Sequence, residues 1–191
     1  MILLKHSSLF LLFGLASFIC MADTSQSNTK NLASGAQTWA IDHQGVHFSL
    51  TQILPDQVRA FFVGRGFTLK QVEPYATSCV FMTVLRNDDA PGRIHFVRDN
   101  WSIVSGNNNS PPEKTSHWLE KLKKHKVKNA ALIAFRWAQF PSEQTYEPGG
   151  DWNQGMLSAG LAADSRFDII ARWDIAGKSF AAKLEGVSCA K

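Results

Sequence analysis

The alternation of apolar and polar positions predicts short β-strands along much of the chain. Val46, Phe48 and Leu50 alternate with polar residues, which is the period of a strand with one buried face. The same pattern runs through residues 167–174 and returns over residues 180–184 after a short polar turn. Two alternating runs joined in this way predict a β-hairpin.

Other segments are apolar without alternation, which predicts strands covered on both faces. Residues 78–86 read SCVFMTVLR and are apolar on both faces, so we expect a central strand between two layers. Residues 130–138 read AALIAFRWA and are apolar except at Arg136, so we also interpret them as a core strand. Shorter strands are predicted at residues 93–97, 101–104 and 156–161.

One helix is predicted at residues 111–125. Ser110 and Glu113 have the Ser-x-x-Glu spacing of a capping box, and a proline follows Ser110 as suits a first helical turn. Trp118 and the leucines around it form a narrow apolar stripe, so we expect Trp118 to be at least partly buried. A further short helix is favoured over a strand at residues 57–63, which follow a proline.

These elements predict a mainly β fold of seven or eight short strands and one short helix. That pattern is typical of a β-sandwich of the immunoglobulin-like kind, and a partly open β-barrel is the alternative. Trp137 or Trp173 is expected to be the central tryptophan of such a sandwich.

The first residues have the layout of an export signal. Residues 1–22 combine Lys5, an apolar run and a small-residue end, which predicts a secretory signal peptide cleaved near Ala22. The alternative is a lipoprotein signal with Cys20 as the modified residue. Residues 23–38 are polar and predict a disordered leader, and residues 39–191 then form a single domain. We therefore predict a periplasmic or secreted protein with no transmembrane span.

Two cysteines remain after cleavage, Cys79 and Cys189. An even number of cysteines in an oxidising compartment predicts one disulfide bond. The whole chain has a formal net charge of +4, and this mild excess together with export argues against a nucleic-acid partner.

The region with the most varied chemistry is the polar and aromatic loop over residues 140–156. Aromatic faces beside amide and carboxylate groups suit the recognition of a sugar, a peptide or another small ligand. We therefore predict a non-catalytic binding protein that contacts an envelope protein or a small ligand. The predicted ligand-binding residues are Tyr146, Glu147, Asp151, Trp152 and Asn153.

A metal-binding accessory protein is the alternative function, although no cofactor is predicted outright. Copper would use His43 and His47, which are four residues apart, together with the thioether of Met156. Calcium would use oxygen atoms of the same loop, including those of Glu147 and Asp151, but too few lie close in sequence for a complete site.

Hydrolysis through paired carboxylates is a third possibility. Glu143 and Glu147 have a spacing that would place both on one face of a helix, but Pro141, Pro148 and neighbouring glycines argue against a helix there. The sequence carries none of the familiar nucleophile or phosphate-loop motifs.

Overall fold

The computed structural model describes residues 25–191, so the predicted signal peptide at residues 1–22 lies outside the described residues. Within the described part of the chain there are eleven strands and four helices. In chain order they are β1 (Gln26–Lys30), β2 (Gln37–His43), β3 (Val46–Gln52), α1 (Pro55–Val63), α2 (Leu69–Ala76), β4 (Ser78–Asn87), β5 (Ile94–Val97), β6 (Ser102–Ser105), β7 (Asn108–Ser110), α3 (Thr115–Lys124), α4 (Asn129–Ala138), β8 (Glu143–Tyr146), β9 (Asp151–Ala162), β10 (Arg166–Ile175) and β11 (Lys178–Ser188).

The strands form two antiparallel sheets. The first sheet has the order β1-β2-β3-β4-β9. The second sheet has the order β7-β6-β10-β5-β8, and β11 pairs with the other edge of β10 to make the predicted hairpin. The predicted mainly β sandwich is confirmed, and the described strands do not close into a barrel.

Large aromatic and aliphatic side chains fill the space between the sheets. Phe48 and Trp101 meet edge to face at 5.3 Å between ring centroids, and Trp173 is buried in the same cluster. The predicted disulfide is also present there, since Cys79 of β4 is bonded to Cys189 just after β11. Of the two candidate central tryptophans, Trp173 is buried whereas Trp137 is exposed.

A second apolar cluster lies on the outer face of the first sheet, where the helices cover it. Phe62, Tyr75 and Phe135 pack ring against ring, with centroids 4.8 to 5.7 Å apart. Val80 of β4 belongs to this cluster, whereas the adjacent Phe81 belongs to the core between the sheets. The expectation that residues 78–86 form a central strand between two layers is therefore confirmed.

The prediction of a core strand at residues 130–138 is wrong, because this segment is helix α4. Its buried residues are Ala131, Leu132 and Phe135, and Ile133 and Trp137 are exposed. That is the spacing of one helical face, with alanines that favour helix. A short apolar run does not distinguish a buried strand from a packed helix by its pattern alone.

The helix predicted at residues 111–125 exists but begins later. Helix α3 starts at Thr115, and the backbone N–H of Glu113 donates to the carbonyl oxygen of Ser158 on β9 at 2.9 Å. Residues 111–113 are thus held along β9, and the predicted capping box does not form. Trp118 is buried as predicted. The short helix favoured at residues 57–63 is also present, within α1. The other two helices of the described residues, α2 and α4, were not predicted as helices.

Four strands arise where the sequence predicted none, namely β1, β2, β7 and β8. Residues 26–30, within the predicted disordered leader, form β1 along β2. The loop at residues 140–156 contains β8, and β9 begins already at Asp151. All five residues of β1 are exposed, so no alternation of burial marks this strand in the sequence.

No described helix combines the length and the apolar character needed to cross a membrane.

Candidate functional site

A cleft of about 640 Å³ lies where the helical layer meets the edge of the second sheet. One wall is the turn between β5 and β6, and another is the start of α3 with the end of α4. The segment that joins α4 to β8 forms the floor. The lining residues include Arg98, Asp99, Lys114, Thr115, Ser116, Leu119, Arg136, Trp137, Gln139, Phe140, Pro141, Ser142, Glu143, Gln144 and Asn153.

The floor of the cleft is fixed by its contacts with β9. The backbone N–H of Phe140 donates to the carbonyl oxygen of Met156 at 2.8 Å. Gly155 allows this approach, because a Cβ atom there would lie 2.4 Å from the backbone nitrogen of Phe140. The ring of Phe140 stacks on Phe96 in the core with centroids 5.4 Å apart. The segment is therefore held rigidly between the two sheets.

Arg98 is the most unusual residue of the cleft. Only 4% of its surface is exposed, and among residues 25–191 it forms no ion pair. Its Nη1 donates to the carbonyl oxygen of Phe140 at 2.9 Å, while its Nε is buried without a hydrogen-bond partner. Burial lowers the pKa of Arg98, partly opposed by nearby Asp99, yet a guanidinium stays charged at neutral pH. A buried cation without a counter-ion is costly, so its presence calls for an explanation.

The other charges of the cleft are partly compensated. Lys114 Nζ lies 2.8 Å from an Asp99 carboxylate oxygen, and Glu143 lies 2.9 Å from Nε2 of His95. Arg136 forms no ion pair with any residue that the structure describes. Both carboxylates of the cleft thus have basic partners, and two guanidinium groups do not have acidic ones.

The rim of the cleft carries an exposed aromatic ring. Trp137 is 78% exposed near the end of α4. Leu119, Phe140 and Pro141 supply further apolar surface beside it. A flat apolar ring next to hydrogen-bonding groups is the usual composition of a site for a small organic ligand.

The structure places the five predicted ligand-binding residues in different surroundings. Asn153 lines the cleft, whereas Trp152 is 50% exposed on the opposite face of β9. Tyr146 is buried in the core between the sheets, its hydroxyl has no hydrogen-bond partner in the described part of the chain, and burial raises the pKa of that hydroxyl. Asp151 accepts a hydrogen bond from the backbone N–H of Glu147 at 3.1 Å. These side chains do not converge on one site.

The two carboxylates considered for hydrolysis each pair with a basic residue of the neighbouring strand region. Glu143 pairs with His95, and Glu147 lies 2.9 Å from a guanidinium nitrogen of Arg93. Both pairs are exposed, and within residues 25–191 no hydroxyl or thiol group is hydrogen-bonded to either carboxylate. Glu143 lines the cleft, and Glu147 does not.

The predicted copper ligands lie apart. His43 ends β2 opposite Val46, and His47 lies on β3 opposite Asp42, so the two imidazoles are on opposite faces of the hairpin. His47 Nδ1 is 2.7 Å from an Asp42 carboxylate oxygen. Met156 is buried in the cluster under the helices. The part of the chain that the structure describes holds no group of three or more histidine, cysteine, aspartate or glutamate side chains suited to a metal ion.

Sequence reasoning did not find the main residues of the cleft. Arg98 and Lys114 occur in turns with no recognisable motif, and nothing in the sequence brings them together. Arg136 offered the one usable signal, because it is the single charged residue in an otherwise apolar segment. As a helix, that segment presents Arg136 and Trp137 to the cleft.

Comparisons with known proteins did not narrow the function: no protein-family model, no curated protein and no solved structure matches the chain.

Proposed function

We propose that the protein is exported and acts as a non-catalytic binding protein that holds a small ligand in the cleft between the helical layer and the second sheet. The cleft uses residues 140–144 and Asn153 of the loop that the sequence singled out, together with residues of α3 and α4. The observation that supports this proposal is a pocket of ligand size with an exposed tryptophan on its rim and a buried arginine in its wall.

The dimensions and composition of the cleft support a small ligand. Pockets for small organic molecules enclose roughly 300–1,000 Å³ and combine apolar surface with a few polar groups. Trp137, Leu119 and Pro141 supply the apolar part, and amides such as Gln144 and Asn153 supply directional hydrogen bonds. Trp137 shares the cleft with Leu119 and Pro141, and a contiguous apolar patch of this kind is typical of a ligand-binding groove, which favours a contact role for Trp137.

Export is supported by the buried disulfide between Cys79 and Cys189, since such bonds persist in oxidising compartments. A non-catalytic role is supported by the partners of the acidic groups, because Asp99 is paired with Lys114 and Glu143 is hydrogen-bonded to His95.

The test is a screen of small molecules by nuclear magnetic resonance, with the indole N–H signal of Trp137 as the reporter of the cleft. The screen includes neutral, anionic and cationic compounds, so that it does not presuppose the charge of the ligand. We expect binders that shift the Trp137 signal and that bind at least roughly tenfold more weakly to Trp137→Ala, because the stacking surface is lost.

Trp152→Ala is the matched control, since Trp152 is also exposed but does not line the cleft. It should leave affinity unchanged. A screen in which every binder is affected by Trp152→Ala and none by Trp137→Ala would contradict the proposed site.

A further inference from the structure

The unpaired charge of the cleft indicates what kind of ligand it takes. Building on the proposed function, we infer that the ligand is a small organic acid whose single carboxylate sits at Arg98, with a flat apolar ring or ring face against Trp137. The inference rests on the proposed binding cleft and adds the chemical class of the ligand.

Arg98 carries most of this inference. A buried guanidinium is normally matched by a carboxylate. Among residues 25–191 the guanidinium of Arg98 donates to one neutral carbonyl oxygen, that of Phe140, while the nearby carboxylate of Asp99 is paired with Lys114. Its Nε has no acceptor at all among the described residues. Because the residue lies in the wall of an open cleft, the missing counter-ion is most simply supplied by a ligand.

Two further features add positive potential in the same cleft. Thr115 and Ser116 form the first turn of α3, where backbone N–H groups have no acceptor within the helix and the helix dipole is positive. Arg136 adds a second guanidinium that has no acidic partner in the described part of the chain. An anion in the cleft would thus meet three separate sources of positive charge.

The charge balance favours a single negative charge over a phosphate dianion. The lining side chains include three cations, those of Arg98, Lys114 and Arg136. The carboxylates of Asp99 and Glu143 lower the formal sum to +1, which a monoanion balances better than a dianion. The neighbouring Trp137 ring favours a flat apolar surface next to the carboxylate. Aromatic acids and uronic acids share this arrangement of one carboxylate beside a flat apolar face.

The experiment measures dissociation constants by titration calorimetry and by the Trp137 indole signal for four probes. Phenylacetate and glucuronate carry the proposed group, and phenylacetamide and glucose are their uncharged counterparts. We expect one of the acids to bind at least roughly tenfold more tightly than its uncharged counterpart, because the charge-assisted pair with the buried guanidinium of Arg98 is lost in the latter. Binding of phenylacetate would indicate an aromatic acid as the ligand, and binding of glucuronate would indicate a uronic acid. Phenyl phosphate, as a dianion, tests the preference for a monoanion.

Variants of the two arginines locate the carboxylate. Arg98→Gln should weaken binding of the preferred acid by roughly 10- to 100-fold and leave binding of its uncharged counterpart unchanged. If Arg98→Gln does not fold, Arg136→Gln provides the test, because Arg136 is exposed and its substitution should not disturb folding. Arg136→Gln should lower the affinity for the acid by roughly three- to tenfold. Arg166→Gln is the matched control, because it makes the same change of charge away from the cleft and should have no effect.

Two results would overturn the inference. The first is equal affinity for an acid and its uncharged counterpart, with neither arginine variant changing that affinity. The cleft would then still bind ligands, but recognition of a carboxylate would be refuted. The second is a lack of binding by both acids up to about 10 mM, with neutral or cationic compounds shifting the Trp137 signal in the wider screen. Failure of the proposed function itself looks different, since then no compound of any charge reports on Trp137.

Discussion

The substitution Gly155→Ala tests how closely the floor of the cleft is packed against β9. A Cβ atom on Gly155 would lie 2.4 Å from the backbone nitrogen of Phe140 and 2.6 Å from its Cα atom. Ordinary contacts of a Cβ atom begin at 3.4 Å, so the backbone at residues 139–140 would have to move by about 1 Å. The obstacle is backbone and does not rotate away as a flexible side chain would.

The cost follows from two contributions. Forcing an extra methyl group into a packed region costs about 1–3 kcal/mol. The shift would also weaken the 2.8 Å hydrogen bond from Phe140 N–H to Met156, with a net loss of about 1 kcal/mol. We therefore expect Gly155→Ala to lower the free energy of unfolding by about 2–4 kcal/mol.

Gly64→Ala is the control for this substitution. Neither glycine has a φ angle in the left-handed region, so backbone strain plays no part in the comparison. The nearest atom to a Cβ on Gly64 is 3.5 Å away, and this change should alter stability by less than about 0.5 kcal/mol. Urea unfolding followed by tryptophan fluorescence measures both variants, with the midpoint expected to shift and the slope to stay constant. Equal stability of the two variants would show that the floor of the cleft is not packed in this way.

Three further predictions concern the cores and the acid range. Reduction of the disulfide between Cys79 and Cys189, which are 110 residues apart, should lower the free energy of unfolding by about 4–5 kcal/mol in urea titrations with and without reductant; a change below about 1 kcal/mol would contradict the loop-closure argument. Trp118→Ala should destabilise by about 3–5 kcal/mol in thermal unfolding because the ring is buried against the helices, while Trp137→Ala, which removes an exposed ring, should change stability by less than about 0.5 kcal/mol; similar losses in both would refute the assigned burial. Hydrogen bonds from a lysine side chain and from a backbone N–H hold the pKa of Asp168 below its ordinary value, so its contribution is present above pH about 4 and is lost as pH falls through the folded-state pKa. Asp168→Asn should therefore flatten the acid side of the stability curve, and an unchanged slope would argue against the contribution.

The strands were predictable where one face is buried and the other is more exposed to solvent. The alternation around Phe48 and through residues 167–174 corresponds to β3 and β10, because each of these strands turns one face to the sandwich core. Residues 78–86 were predictable for the opposite reason, since cores on both sides of β4 require apolar side chains at nearly every position.

The helical layer was predicted poorly because its local signals compete with tertiary contacts. Helix α4 is short and apolar, and only its packing on the outer face of the first sheet decides between helix and strand. The spacing of Ser110 and Glu113 predicted that α3 begins earlier than it does. The backbone N–H of Glu113 instead donates to β9, and the helix begins only at Thr115.

The cleft was not predictable from local pattern at all. Arg98, Ser116 and Trp137 belong to three separate segments, and only the packing of α3 and α4 beside the second sheet brings them to one cavity. Part of the loop at residues 140–156 lines the cleft, whereas one of its aromatic residues, Tyr146, is buried in the core between the sheets.

The division of the molecule into two apolar clusters has a consequence for its motions. The cluster under the helices and the core between the sheets lie on opposite faces of the first sheet, so that neighbouring residues such as Val80 and Phe81 belong to different clusters. Units with separate cores open separately, so amide hydrogen exchange in the helices should proceed through a partial opening that leaves the strands protected. The cleft joins the two units, with Trp137 on the helical side and Arg98 on the side of the sheets. A ligand bound there would hold the units together, and slowed exchange in α3 and α4 would report its presence before its identity is known.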